Sequence, residues 1–286
     1  MNTPIQVVDG TLTAKHRRDL KLAVDLLENP HFAARLADYV GQPINSIVER
    51  LPRTLNERLR DSVRGAILKC LEVAIDSLED DTPEAAPDWL NNVVVGLAGG
   101  VGGFFGMAAL PVELPITTVL MLRAIAGIAR AEGEDLGLIE TRLACLEVFA
   151  LGVRGPHDRA NVDYYAARLV LTRLTHDVAA LVTERGAVNA STPIIAKLVG
   201  EIVARFGLVV SDMSASSIVP VVGAIGGATL NMIFTEHFQR VARGHFMVRR
   251  LERIYGPQTI QGLYRGHSRK AASAASASGY LAKLLP

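Results

Sequence analysis

Apolar side chains recur at helical spacing along most of the chain. The clearest stripe has one apolar residue at every fourth position: Leu59, Val63, Ile67, Leu71 and Ile75. Such a stripe predicts an amphipathic helix with one buried side. Thr54 and Glu57 have the spacing of a capping box, in which each side chain satisfies one free backbone amide at a helix start. A helix is therefore predicted from about residue 54 to residue 79.

The same pattern predicts further helices, and proline following a capping residue marks several of their starts, as at Asn29-Pro30 and Thr192-Pro193. The predicted ranges are 13–28, 31–40, 43–51, 116–132, 138–152, 161–185 and 194–210. The helices at 138–152 and 161–185 are predicted to be amphipathic. The fold class that follows is an all-α multi-helix bundle, soluble or membrane-associated.

Two long segments contain no charged side chain. Residues 89–112 are rich in glycine and long enough to span a bilayer, which takes about 20 residues. Their glycines form three interleaved GxxxG pairs, which favour close helix packing. The residues of these pairs are Gly96, Gly99, Gly100, Gly102, Gly103 and Gly106. A second uncharged run at 213–235 contains the pair Gly223 and Gly227. The pattern leaves three arrangements open for these runs: crossing a bilayer, burial in the bundle, or exchange between the two.

Prolines and isolated polar residues lie beside the apolar segments. Pro111 and Pro115 predict a turn that makes a helical hairpin of the flanking segments. Glu113 is interpreted either as a helix N-terminal carboxylate or as a buried group that is paired with Arg123 or forms part of an intramembrane site. A cleft between the glycine-rich segments is predicted, under a hydrolase hypothesis, to gather four polar residues: Glu113, Arg123, Asn231 and His237.

Formal charge is distributed unevenly along the 286 residues, although the total is only +1. Residues 1–88 carry −4, residues 89–235 carry −2 and residues 236–286 carry +7. A basic end predicts a surface for anionic lipid, nucleic acid or an acidic partner, or a solvated face. Five arginines follow the second uncharged run on a helical pattern and are predicted to lie at a membrane surface: Arg240, Arg243, Arg249, Arg250 and Arg253. The alternative is a helix that faces the core and has a solvated rim.

No familiar catalytic or metal-binding motif occurs in the sequence. The only cysteines, Cys70 and Cys145, lack metal-ligand spacing and are predicted to be buried, reduced thiols, which fits a cytoplasmic protein. The histidines do not have zinc-protease spacing, and no nucleophile elbow or phosphate loop is present. The first residues lack the features of a signal peptide. We therefore predict no metal, no cofactor and no nucleic-acid partner.

Four strings, taken in order, resemble the EcsC protein family. They lie at residues 99–106, 110–118, 121–130 and 220–231, and the glycine-rich string followed by Leu-Pro-Val-Glu-Leu-Pro is the most specific part. The resemblance covers roughly residues 35–255. The family is bacterial and is named after a protein encoded beside an ABC transporter. Some members have carried peptidase labels, but this sequence has no protease motif, so the resemblance transfers no catalytic residue.

Together these patterns predict a flexible segment at 1–12, a single helical domain at 13–265 and a disordered Ala/Ser-rich tail at 266–286. The leading hypothesis is a non-enzymatic, membrane-associated protein at the cytoplasmic side of the cell membrane, peripheral or integral and accessory to transport or secretion. Its expected partners are anionic lipid, a membrane transport complex and a second copy of itself. The alternatives are a peptidase or lipid-directed hydrolase, and a module that binds an acyl chain.

Overall fold

Eight helices make up the part of the chain that the computed structural model describes, which is residues 12–28, 53–76, 106–151, 164–185, 192–216 and 227–269. They are α1 (Ala14–Glu28), α2 (Arg53–Asp76), α3 (Gly106–Ala131), α4 (Ile139–Leu151), α5 (Tyr164–Arg185), α6 (Pro193–Ser216), α7 (Gly227–Tyr255) and α8 (257–269). None of these residues forms a strand. The predicted all-α fold is therefore confirmed.

The predicted stripe on α2 is buried as far as the structure describes it, which leaves out the side chain of Leu59. Val63, Ile67, Leu71 and Ile75 are each at most 7% exposed, as every-fourth spacing requires. The helices predicted at 31–40 and 43–51 lie outside the described residues. At the other end of the chain, α8 extends to residue 269, beyond the predicted end of the helical domain at 265.

The predicted turn between Pro111 and Pro115 is wrong, because α3 runs without interruption from Gly106 to Ala131. A proline inside a helix removes one backbone hydrogen bond and bends the helix, but it does not have to end it. Further along α3, Val119, Leu122 and Ile125 are fully buried and hold the helix in place. The chain therefore does not reverse at these prolines, and the predicted hairpin is not formed there.

Helix α4 lies at the centre of the larger group of helices, in contact with α2, α3, α5 and α6. Every residue from Thr141 to Leu151 is buried. The prediction that this segment is amphipathic is therefore wrong, since an amphipathic helix keeps one side in water. Its Phe149 packs against Phe206 of α6 and Phe238 of α7, with ring centroids 4.9 and 5.4 Å apart.

The chain divides into two compact units. The core unit comprises residues 30–242 and contains α2 to α6 and the first part of α7. The terminal unit comprises residues 1–29 and 243–286, and its described part contains α1, the last part of α7, and α8. Gly256 separates α7 from α8 with a φ of +83°, a left-handed conformation that glycine adopts readily at a helix end.

None of the helices in the described ranges is long and apolar enough to cross a membrane. The first uncharged run, at 89–112, lies mostly outside those ranges. The second, at 213–235, is described only up to residue 216 and from residue 227 onward.

Candidate functional site

Arg142 is a buried cation that joins two segments of the core unit. Its side chain is on α4, where Nε donates a hydrogen bond to the Leu136 carbonyl at 2.6 Å and Nη1 donates to the Ala74 carbonyl at 3.1 Å. Ala74 is in the last turn of α2, whose carbonyls have no partner within the helix. Burial lowers the pKa of Arg142, and Asp135 and Cys145 partly offset that effect. The contacts indicate a structural role for this arginine, as the cap of α2.

Glu147 is the second charged residue buried on α4. Its Oε1 accepts a hydrogen bond of 2.7 Å from the Thr175 hydroxyl on α5, and the two residues are 2% and 5% exposed. A buried carboxylate held by a hydroxyl on the neighbouring helix fixes the position of α4 against α5. It is separated from solvent, so substrate contact would require the bundle to open.

The two cysteines are buried, as predicted. Both are at most 1% exposed, and burial raises the pKa of the Cys70 thiol to about 12. At pH 8 only about one Cys70 thiol in 10,000 is then the reactive thiolate. We expect a thiol reagent to modify Cys70 and Cys145 at least ~100-fold more slowly in the folded protein than in concentrated urea, because burial removes access to both thiols and also raises the pKa of Cys70. Equal rates in the two conditions would contradict this burial.

The predicted polar site is only partly described. Glu113 and Asn231 lie on α3 and α7, but their side chains are outside the described part. Arg123 is exposed and His237 is half-buried. Among the described residues, no hydrogen bond or ion pair joins Arg123 to His237. Nor do any three His, Cys, Asp or Glu side chains come together as metal ligands in the described ranges.

Most of the predicted packing glycines also fall outside the described ranges: Gly96, Gly99, Gly100, Gly102, Gly103 and Gly223. Gly106 and Gly227 are the first residues of α3 and α7. Their predicted role in close helix packing stays a prediction. The structure instead places a close approach at Gly244 on α7, where an added Cβ would lie 2.7 Å from Leu27 Cγ and 3.2 Å from the Ala23 carbonyl oxygen on α1.

The five predicted surface arginines have different environments. Arg243 and Arg253 are exposed, whereas Arg240 and Arg249 are half-buried. Arg250 donates a hydrogen bond of 2.8 Å to Asp19 of α1, so this arginine helps to hold the terminal unit together. The five apolar residues of the predicted pattern on the same helix are at most 3% exposed: Phe234, Phe238, Val241, Val248 and Leu251. Contact of the arginines with a membrane stays a prediction.

Positive charge is concentrated in the terminal unit. Its described residues contain ten Lys and Arg against four Asp and Glu, a formal charge of +6. The described residues of the core unit contain fourteen Lys and Arg against fifteen Asp and Glu, a formal charge of −1. The terminal unit is therefore the strongly basic one, and α1 contributes four of its cations.

The solvent-facing side of α1 is a feature that the sequence prediction missed. Lys15, Arg18 and Lys21 are exposed, and Leu22 beside them is 48% exposed. The opposite side carries Leu20, Ala23 and Val24, each at most 1% exposed. The spacing of three cations and a leucine at 15, 18, 21 and 22 is visible in the sequence. The net negative charge of residues 1–88 concealed it.

Comparison with known proteins identifies a family. A family model described as the EcsC protein family matches residues 28–251, which is more than half of the chain. A search of curated proteins and a search of solved structures each gave no match. The matched range begins at the last residue of α1 and ends before α8, so it covers the core unit and only part of the terminal unit.

Proposed function

Since the chain belongs to the EcsC protein family, which is named after a protein encoded beside an ABC transporter, we propose that it is a non-enzymatic, membrane-associated helical protein. It binds the anionic inner face of the cell membrane and acts as an accessory to transport or secretion. The glycine-rich runs take part by packing closely with other helices at the bilayer. The hydrolase and acyl-chain hypotheses stay predictions from the sequence.

The separation of charge between the two units carries this proposal. A surface of anionic lipid attracts basic residues with about 1 kcal/mol for each Lys or Arg that comes near it. The terminal unit, with a formal charge of +6 against −1 for the core unit, supplies that attraction from one part of the molecule. Exposed cations need no opening of the helical core to reach lipid headgroups.

Flotation of the intact protein with vesicles tests the proposal. We expect the protein to float with vesicles that contain anionic phosphatidylglycerol and to stay at the bottom with purely zwitterionic vesicles. Raising the salt from about 0.1 M to about 1 M should release it, because the screening length falls from about 10 Å to about 3 Å.

A protein that remains at the bottom with every vesicle would contradict membrane association. Flotation that is equal on anionic and zwitterionic vesicles, and insensitive to salt, would contradict the role of charge.

A further inference from the structure

We propose, on the basis of the membrane association proposed above, that the exposed side of α1 is the face that contacts the lipid. Lys15, Arg18 and Lys21 bind anionic headgroups, and Leu22 enters the layer of acyl chains beneath them. We name these four residues the α1 face. It was not among the surface residues predicted from the sequence, and it lies outside the residues matched by the family model.

The four residues share one side of the helix. Successive helical residues are about 100° apart, so positions 15, 18 and 22 lie within about 60° of one another and Lys21 flanks them. All four are exposed, and Leu22 keeps 48% of its surface in water. Within the described residues, no hydrogen bond or ion pair involves Lys15, Arg18 or Lys21. Their charges are thus available to an external anion.

The basic and acidic side chains of α1 differ in their exposure to solvent. The four basic residues of the helix are exposed, whereas its three acidic residues, Asp19, Asp25 and Glu28, are half-buried. Asp19 is held by Arg250 at 2.8 Å, and Glu28 Oε1 accepts a hydrogen bond of 2.8 Å from the Tyr264 hydroxyl of α8. Asp25 lies between Arg18 and Lys21 around the helix, so the three cations of the α1 face stand against one half-buried carboxylate and leave a net positive charge on that side.

The helix is held in place from its inner side. Thr13 Oγ1 accepts a hydrogen bond from the His16 amide and caps the start of α1. The Tyr255 hydroxyl is 2.8 Å from His16 Nδ1 and accepts a hydrogen bond from the Thr13 amide. Together with the close approach at Gly244, these contacts fix which side of α1 meets the solvent. A surface held in this way loses little conformational entropy when it binds.

The exposed leucine favours lipid over nucleic acid as the partner. A helix at a membrane interface combines cations for the headgroups with an apolar side chain that enters the acyl region. Leu22 supplies that side chain among the cations, and Leu263 of α8, in the same unit, is 41% exposed. Binding to the sugar-phosphate backbone of nucleic acid would use the cations and leave the leucine in water.

The test compares two triple variants of the full-length protein. In the first, Lys15→Gln, Arg18→Gln and Lys21→Gln remove three cations from the α1 face. In the matched control, Arg58→Gln, Arg60→Gln and Arg64→Gln remove three exposed cations from α2 in the core unit. Glutamine forms helices about as well as lysine and arginine, so both variants should remain folded, which circular dichroism checks.

We expect the partition constant for phosphatidylglycerol vesicles to fall about 100-fold in the α1 variant and less than about threefold in the α2 control. Leu22→Ala should lower it about tenfold, whereas Leu138→Ala, at an exposed leucine of the core unit, should leave it unchanged. The charge-preserving variant Lys15→Arg with Lys21→Arg should bind like the wild type.

Each other outcome has a distinct meaning. If the wild type binds vesicles and the α1 variant binds equally well, lipid contact through the α1 face is contradicted while membrane association stands. If the wild type does not bind vesicles at all, membrane association itself fails, and the α1 face with it. An equal loss in both triple variants would show that only net charge matters. Tighter binding to duplex DNA than to vesicles of equal phosphate content would contradict lipid as the partner of the α1 face and indicate nucleic acid.

Discussion

Arg142→Met is expected to lower the free energy of unfolding by about 3 kcal/mol. The change leaves the Leu136 and Ala74 carbonyls without their buried donor. A buried polar group that loses its partner costs about 1–3 kcal/mol. Two carbonyls together would cost about 2–6 kcal/mol. Removing the buried charge recovers part of the desolvation cost that lowers the pKa of Arg142, so the expected loss lies in the lower half of that range.

Urea unfolding followed by circular dichroism measures this loss. The control is Arg173→Met, at an exposed arginine of α5, which should change stability by no more than about 0.5 kcal/mol. Arg142→Lys should recover little, since an ammonium group does not have the forked geometry that reaches two carbonyls. Equal stability of the Arg142 and Arg173 variants would show that the cap of α2 is dispensable.

Gly244→Leu is expected to detach α1 from α7 and to cost about 3 kcal/mol. The first added carbon would already lie 2.7 Å from Leu27 Cγ and 3.2 Å from a backbone oxygen of α1, so three further carbons have no space. Replacing a helical glycine also favours the helix itself, by about 1 kcal/mol. Overpacking therefore has to exceed that gain, and the absence of space for the side chain indicates that it does.

Hydrogen exchange at the amides of α1 reports the detachment, and we expect it to accelerate in Gly244→Leu. Gly262→Leu is the matched control, because it replaces a helical glycine of α8 with nothing within 4 Å of the added Cβ. It should leave exchange in α1 unchanged. Slow exchange in both variants would mean that α1 does not depend on the close approach at Gly244.

Local patterns predicted the helices well where one side of a helix is buried. The range 13–28 for α1 and the stripe on α2 match the structure to within a few residues. They failed at α3, because the sequence does not show whether prolines bend a helix or end it. They also failed at α4, where residues as polar as Arg142 and Glu147 are buried through partners on other helices. Such partners are set by tertiary packing.

The candidate site was harder to predict for a related reason. The net charge of successive segments predicted a basic surface in the last fifth of the chain and an acidic segment at its start. Folding brings α1 together with the end of α7 and with α8 in one unit, so cations from both ends share it. The direction that each charge faces is decided by contacts such as Asp19 with Arg250. A sum along the chain does not contain that information.

The proposed contact of the α1 face with lipid is tested most directly by a fluorophore that is sensitive to its environment, attached at position 22 of the Leu22→Cys variant. The buried Cys70 and Cys145 should not compete for the label. On phosphatidylglycerol vesicles we predict a blue-shifted, brighter emission at position 22, and no change for the same label on Leu138→Cys in the core unit. Lipid contact through the α1 face would be contradicted by an unchanged emission at position 22 while the protein is bound to the vesicles. An equal shift at position 138 would contradict it as well.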